Sequence, residues 1–121
     1  MALLELYPSD PAVAPAAAVA AAEKLLELAR LPVAQSELHL AVADAIFFYR
    51  LPPATALPHL LAAERLGRLD RPTRADTIVQ IAEVSALLGD RAQARKFYEA
   101  FVAEYPLDQR HFMVRQKLAS L

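Results

Sequence analysis

Apolar residues in this chain recur every three or four positions, which is the spacing that places side chains on one face of a helix. The clearest stripe consists of Ala94, Phe97, Tyr98, Phe101, Val102 and Tyr105. No useful length of sequence alternates apolar and polar residues in the manner of a β-strand. The pattern therefore predicts an all-α protein.

Prolines, glycines and capping residues divide the pattern into six helical segments. A residue before proline avoids the helical conformation, and glycine suits the left-handed position after a helix. Ser36, Thr55 and Asp90 are candidate N-caps, and Pro32 is expected to end the first helix. The predicted helices cover residues 15–30, 36–50, 55–67, 72–88, 91–105 and 108–121. Short connections predict that consecutive helices lie antiparallel.

The second segment is apolar on nearly all sides, so we expect it to be buried between neighbouring helices. Asp44 stands alone among these apolar residues. Because an unpaired buried carboxylate is costly, Asp44 should be paired, hydrogen-bonded or protonated. We favour a structural bond to an adjacent helix over recognition of a partner's donor, and both over a catalytic role.

Composition narrows the classes of function. The chain has 121 residues, which suits one domain with its own core, and lacks cysteine, which excludes disulfides and cysteine-bound metal. Its 14 acidic and 13 basic residues are too balanced to indicate nucleic acid or an anionic membrane as partner. No apolar run reaches the roughly 18 residues of a membrane span, and the start lacks the basic residues of a secretory signal. We expect a cytoplasmic protein.

Histidines and arginines are the remaining candidates for chemistry. His39, His59 and His111 lie far apart without a metal-ligand spacing, so no metal or cofactor is expected. An arginine recurs at every third position in the series Arg65, Arg68, Arg71 and Arg74. We favour a solvated connector over an anion-binding edge, because no aromatic residues interleave with the arginines.

Residues 75–108 carry a small residue at a turn followed by alanine, a large aromatic and proline, namely Gly89, Ala94, Tyr98 and Pro106. This segment resembles a tetratricopeptide repeat, a helix–turn–helix unit of about 34 residues. Phe101 and Ser85 depart from the family pattern, which has alanine and an aromatic residue there. A weaker copy upstream has the alanine–large–alanine spacing at Ala56, Leu60 and Ala63, with Phe47 as the aromatic residue of its first helix and departures at Asp44 and Arg68.

The resemblance implies antiparallel helix pairs stacked as a short right-handed superhelix of about six helices. It organises a single domain into an N-terminal segment and capping helix (1–35), a degenerate repeat (37–70), a second repeat (75–108) and a C-terminal capping helix (109–121). The concave face would bind a protein or peptide. The residues that the resemblance assigns to that face are Leu38, Ala41, Ala45, Phe48, Tyr49, Asp76, Val79, Glu83 and Leu87.

Family members that clamp a peptide's terminal carboxylate use lysine and asparagine on that face. Here the matching positions hold Ala41, Ala45, Val79 and Glu83, which favours an apolar partner surface instead. We therefore expect a non-catalytic adaptor or scaffold in which Phe48, Tyr49 and Leu87 form one partly exposed surface. The alternatives are a self-assembling helical module, which leaves a homo-oligomer open, and a domain like those of bacterial transcription activators. An enzyme is the least favoured class.

Overall fold

A computed structural model describes residues 14–121 of the chain, so expectations for residues 1–13 lie outside the described part. The described residues form six α-helices and no strand, which confirms the predicted all-α class. The helices are α1 (Ala14–Leu28), α2 (Pro32–Phe48), α3 (Leu57–Arg65), α4 (Arg71–Leu87), α5 (Arg91–Glu104) and α6 (His111–Ala119), with one 3₁₀ turn at Pro53–Thr55.

The helices belong to two compact units. The first unit ends at Leu69, and the second runs from Asp70 to Leu121. In the first unit α2 packs against both α1 and α3. Its core consists largely of small residues: Ala18, Ala22, Ala41, Val42, Ala43, Ala45, Ile46, Ala56, Leu60 and Ala63. Alanine lets helices approach closely but buries little apolar area per residue, so this core gains less from the hydrophobic effect than a leucine-rich one.

The start of α2 differs from the prediction. Pro32 occupies the first turn of α2, where its missing N–H has no helical partner to lose, rather than ending the preceding helix. The residue before α2, Leu31, has an extended conformation and makes no side-chain cap. Ser36 is buried inside α2, and its hydroxyl has no hydrogen-bond partner in the described part of the chain. The expectation that Ser36 is an N-cap was wrong because the helix begins one turn earlier.

The turn after α2 is closed by two backbone hydrogen bonds. The Leu51 amide donates to the carbonyl of Ile46 at 2.9 Å, and the Arg50 amide donates to Phe47 at 3.1 Å. This pattern is a Schellman motif, which requires a left-handed residue that is usually glycine. Arg50 fills that position with φ of 54°. The same motif after α4 uses Gly89 at φ of 84°, as the sequence predicted.

In the second unit α5 packs against α4 on one side and α6 on another. Asp70 and Asp90 cap α4 and α5 by accepting hydrogen bonds from the amides of Thr73 (2.8 Å) and Gln93 (3.1 Å). The predicted stripe of α5 is buried at Ala94, Phe97, Tyr98, Phe101 and Tyr105. These local signals confirm the cap predicted at Asp90 and the buried face of α5.

Three contacts of the second unit each join residues that lie 34 positions apart in the sequence. Arg110 pairs with Asp76, and Lys117 pairs with Glu83, each at 2.8 Å and each across 34 residues. The Tyr105 hydroxyl donates to the carbonyl of Arg71, again 34 residues away, at 3.0 Å. Because both ion pairs have the same offset, α6 runs alongside α4 in the same direction.

Candidate functional site

One side of α2 presents large apolar residues to solvent. Val33, Glu37, Leu40, Asp44 and Phe48 follow one another at helical spacing and define what we call the α2 face. Phe48 is 68% exposed and Val33 is 50% exposed, while Leu40 is half-buried. The expectation that this helix is buried on all sides was therefore wrong. Within the first unit it packs against α1 and α3, and Val33 and Phe48 on its outer stripe are exposed.

Asp44 lies in the middle of the α2 face and is exposed. No hydrogen bond or ion pair links it to any residue in the described range. Partial burial among its apolar neighbours raises the pKa of its carboxyl above the ordinary value. The favoured expectation, a structural bond to an adjacent helix, was wrong because Asp44 is exposed and makes no bond to α1 or α3. Recognition of a partner by Asp44 stays a prediction.

The residues assigned to the binding face in the first unit fall on different sides of α2. Ala41 and Ala45 are buried in the core, so their side chains cannot contact a partner directly. Leu38 and Tyr49 are half-buried, and Phe48 is exposed. The Tyr49 ring meets the Phe48 ring edge-on, with centroids 4.9 Å apart. Of this set, Phe48 is the aromatic end of the α2 face, and Tyr49 lies beside it just after the helix.

The assigned residues of α4 are divided in a similar way. Val79 is buried, and Leu87 is 71% exposed. Asp76 and Glu83 are exposed, but their carboxylates are held by Arg110 and Lys117. The hydrogen bond from Lys117 to Glu83 raises the pKa of the lysine. These two acids therefore stabilise the packing of α6 in this structure, instead of presenting unpaired charges to a partner.

The arginine series does not form one edge. The Arg71 guanidinium lies 4.5 Å from the centre of the Tyr105 ring and donates to the carbonyl of Glu104. Arg74 pairs with the Glu104 carboxylate at 2.6 Å. Arg65 and Arg68 are exposed near the end of the first unit. Since Arg71 and Arg74 lie in α4 and bind the end of α5, they contribute to packing in the second unit, and the expectation of a solvated connector was wrong for these two residues.

Two histidines that are distant in sequence meet between α2 and α3. The Nδ1 atoms of His39 and His59 are 3.0 Å apart. Burial lowers the pKa of His39, helped by the charges of His59 and Arg65. Burial also lowers the pKa of His59, while the nearby charge of Glu23 acts in the opposite direction. His39 and His59 lie the same number of residues before and after Tyr49, which stands at the turn after α2. Antiparallel packing of α2 and α3 about this turn places the two positions opposite each other, so the contact could have been predicted from the sequence.

His59 of this pair lines a groove of the first unit with a volume of about 730 Å³. The groove is mostly apolar, and His59 and Glu23 are its ionisable lining residues. Among the residues that the structure describes, no three histidine, cysteine or acidic side chains are grouped so that they could hold a metal ion. The two histidines form a hydrogen-bonded contact in this structure, and His59 is open to the groove.

None of the helices in the described range combines the length and the apolar character needed to cross a membrane. Comparisons of the chain with protein-family profiles, with curated protein sequences and with solved structures gave no significant match.

Proposed function

We propose that the protein is a non-catalytic, tetratricopeptide-like module that binds a protein or peptide through the α2 face. The observation that carries the proposal is the exposure of Phe48 and Val33 on the stripe that also holds Glu37 and Asp44. Large apolar side chains grouped on an exposed helix face commonly mark an interaction surface. Aromatic residues are enriched at such surfaces because they bury a large area with little loss of side-chain freedom.

The charges of the α2 face define the chemistry of the partner. Glu37 and Asp44 alternate with the apolar residues, and α2 contains no lysine or arginine. An apolar centre with a charged rim is the usual composition of a protein interface. On the α2 face the two acids lie between the apolar residues, and their negative charge favours a basic, partly apolar segment over nucleic acid, whose phosphates would be repelled. The partial burial that raises the pKa of Asp44 would be offset by a cation from the partner.

The repeat organisation is supported by the 34-residue separation of three contacts in the second unit. This separation equals the period of the tetratricopeptide family, about 34 residues. In a stack of such repeats the first helix of one repeat runs beside the first helix of the next. The pairing of α4 with α6 has that form. The superhelix, and the joint surface of Phe48, Tyr49 and Leu87, are further predictions of the same proposal.

Site-specific photo-cross-linking tests the binding role. A photoreactive phenylalanine analogue replaces Phe48 or Val33 in the full chain, which is then irradiated in the cells that produce it. A matched control carries the analogue at Glu27, an exposed position on α1. We expect the same cross-linked protein at positions 48 and 33 and not at 27, and we expect excess wild-type chain to compete it away. Equal products at all three positions, or none at 48 and 33, would contradict the proposal.

A further inference from the structure

The helix α6 presents a surface of mixed character to solvent. On α6 the side chains of Phe112, Met113, Arg115, Gln116 and Ala119 are all exposed and lie on adjoining helical positions, and we call this surface the α6 face. Phe112 alone is 69% exposed. The α6 face is therefore apolar at one end and polar at the other.

The charge of the α6 face is positive. Residues 109–121 include Arg110, Arg115 and Lys117 and no acidic residue. Asp76 and Glu83 neutralise Arg110 and Lys117 within the second unit. Arg115 is exposed, and no acidic side chain in the described range pairs with it. Arg115 is therefore the charged side chain of the α6 face that is available to a partner.

The same molecule carries the complementary surface. The α2 face combines exposed apolar residues with Glu37 and Asp44, and the α6 face combines them with Arg115. We propose that the α6 face of one copy docks on the α2 face of a second copy, with Arg115 against Asp44. This inference rests on the proposed role of the α2 face as a binding surface, and it names a second copy of the chain as the occupant.

The charges of the α2 and α6 faces favour one of the three ways in which two copies can pair. Pairing α6 with α6 brings Arg115 near Arg115, and pairing α2 with α2 brings the carboxylates of Glu37 and Asp44 together. Like charges placed opposite each other disfavour an interface, whereas the mixed arrangement opposes unlike charges. The raised pKa of Asp44 agrees with a carboxylate that gains from an added cation.

A mixed interface uses different surfaces on the two copies. Such a heterologous contact leaves one free face of each kind, so it extends into chains or closes into rings. Each face has only five residues, which is less than the roughly 20–30 residues per side of a standard stable interface. The association is therefore weak and grows with protein concentration. It also weakens with added salt, because the paired charges are near solvent.

Analytical ultracentrifugation of the full 13.3 kDa chain tests this arrangement. We expect the wild-type protein to be monomeric when dilute and to form dimers and larger species as its concentration rises. Asp44→Lys and Arg115→Glu should each weaken self-association by at least about tenfold, because each places like charges in contact. The double variant Asp44→Lys/Arg115→Glu should self-associate like the wild type, because the two charges are exchanged and still attract each other. Glu27→Lys and Arg91→Glu change the net charge equally at exposed positions outside both faces, and should associate like the wild type.

Mixing the two single variants gives the most direct readout. Asp44→Lys keeps an intact α6 face, and Arg115→Glu keeps an intact α2 face. The mixture should form alternating species that grow with concentration as the wild type does, because the original and the charge-reversed contact are both available between unlike copies, although each variant alone remains monomeric. Circular dichroism melting curves show whether each variant remains folded.

The inference is overturned if the wild type stays monomeric at millimolar concentration, or if the mixed variants fail to pair. It is also overturned if the charge reversals leave an existing oligomer unchanged. These results are distinct from a failure of the proposed function. If the chain is monomeric but cross-links to another protein at position 48, the binding role stands and a second copy is not the occupant. If the chain is monomeric and gives no cross-link at positions 48 and 33, both proposals fail.

Discussion

His39 and His59 face each other between α2 and α3 with their Nδ1 atoms at hydrogen-bond distance, 3.0 Å. One ring must donate and the other must accept, so a neutral pair has its protons on different ring nitrogens. When both rings are protonated, both Nδ1 atoms carry hydrogens and repel each other. The contact therefore links the packing of α2 against α3 to pH.

The first unit should lose stability on acidification. The pKa of each histidine is lowered in the folded state, so the folded protein binds fewer protons than the unfolded one. Stability is then complete above the unfolded pKa of about 6.5 and falls as the pH drops below it. Hydrogen exchange of α2 amides, followed from pH 8 to pH 5, measures this loss.

A double variant, His39→Phe/His59→Phe, provides the control for the histidine prediction. It removes both titrating rings and keeps aromatic groups at the contact, so the pH dependence of α2 exchange should flatten. The α4 amides of the second unit serve as an internal reference. An unchanged pH dependence in the double variant would show that other groups cause it.

Asp44→Asn should stabilise the folded chain at neutral pH. The raised pKa of Asp44 means that the folded state disfavours the charged carboxylate. A raised acid pKa lowers stability above that pKa, and the penalty disappears as acid protonates the group. We expect a gain of up to about 0.5 kcal/mol, the usual range for an exposed position. Urea unfolding at pH 7 and pH 4 measures it, and the gain should be smaller at pH 4. Destabilisation at pH 7 would instead indicate a bonded carboxylate.

Arg50→Gly should also stabilise the first unit. Arg50 occupies the left-handed position of the turn after α2 at φ of 54°, where a residue with Cβ is strained. Glycine removes that strain but adds freedom to the unfolded chain, so we expect a net gain of up to about 1 kcal/mol. Arg30→Gly is the matched control, because Arg30 is an exposed loop residue with negative φ. A similar loss of stability in both variants would contradict the prediction.

The sequence predicted those features that depend on neighbouring residues. Asp90 and Gly89 act within one turn of the helix ends that they cap, and the stripe of α5 reflects helical geometry alone. Pro32 was misassigned because a proline is compatible both with the end of one helix and with the first turn of the next.

Features that depend on which helices become neighbours were harder to predict. The exposure of Asp44 follows from the number of helices that pack on α2, which periodicity does not define. The contact of His39 with His59 likewise requires the register of α2 against α3. The pairing of Asp76 and Glu83 with α6 requires the position of α6 beside α4.

Tyr105→Phe tests the contacts that recur at 34 residues in the second unit. The Tyr105 hydroxyl donates to the Arg71 carbonyl, and its ring contacts Phe101 with centroids 5.4 Å apart and supports the Arg71 guanidinium. Phenylalanine keeps both ring contacts and removes only the buried hydrogen bond, which should lower the free energy of unfolding by about 1 kcal/mol. Tyr98→Phe is the control, because Tyr98 lies within α5, is also buried and makes no comparable hydrogen bond to α4. Urea unfolding, with exchange of the first amides of α4 as the local readout, should show a loss in Tyr105→Phe and little change in Tyr98→Phe. Equal effects in the two variants would mean that the hydroxyl of Tyr105 does not hold the end of α5 to the start of α4.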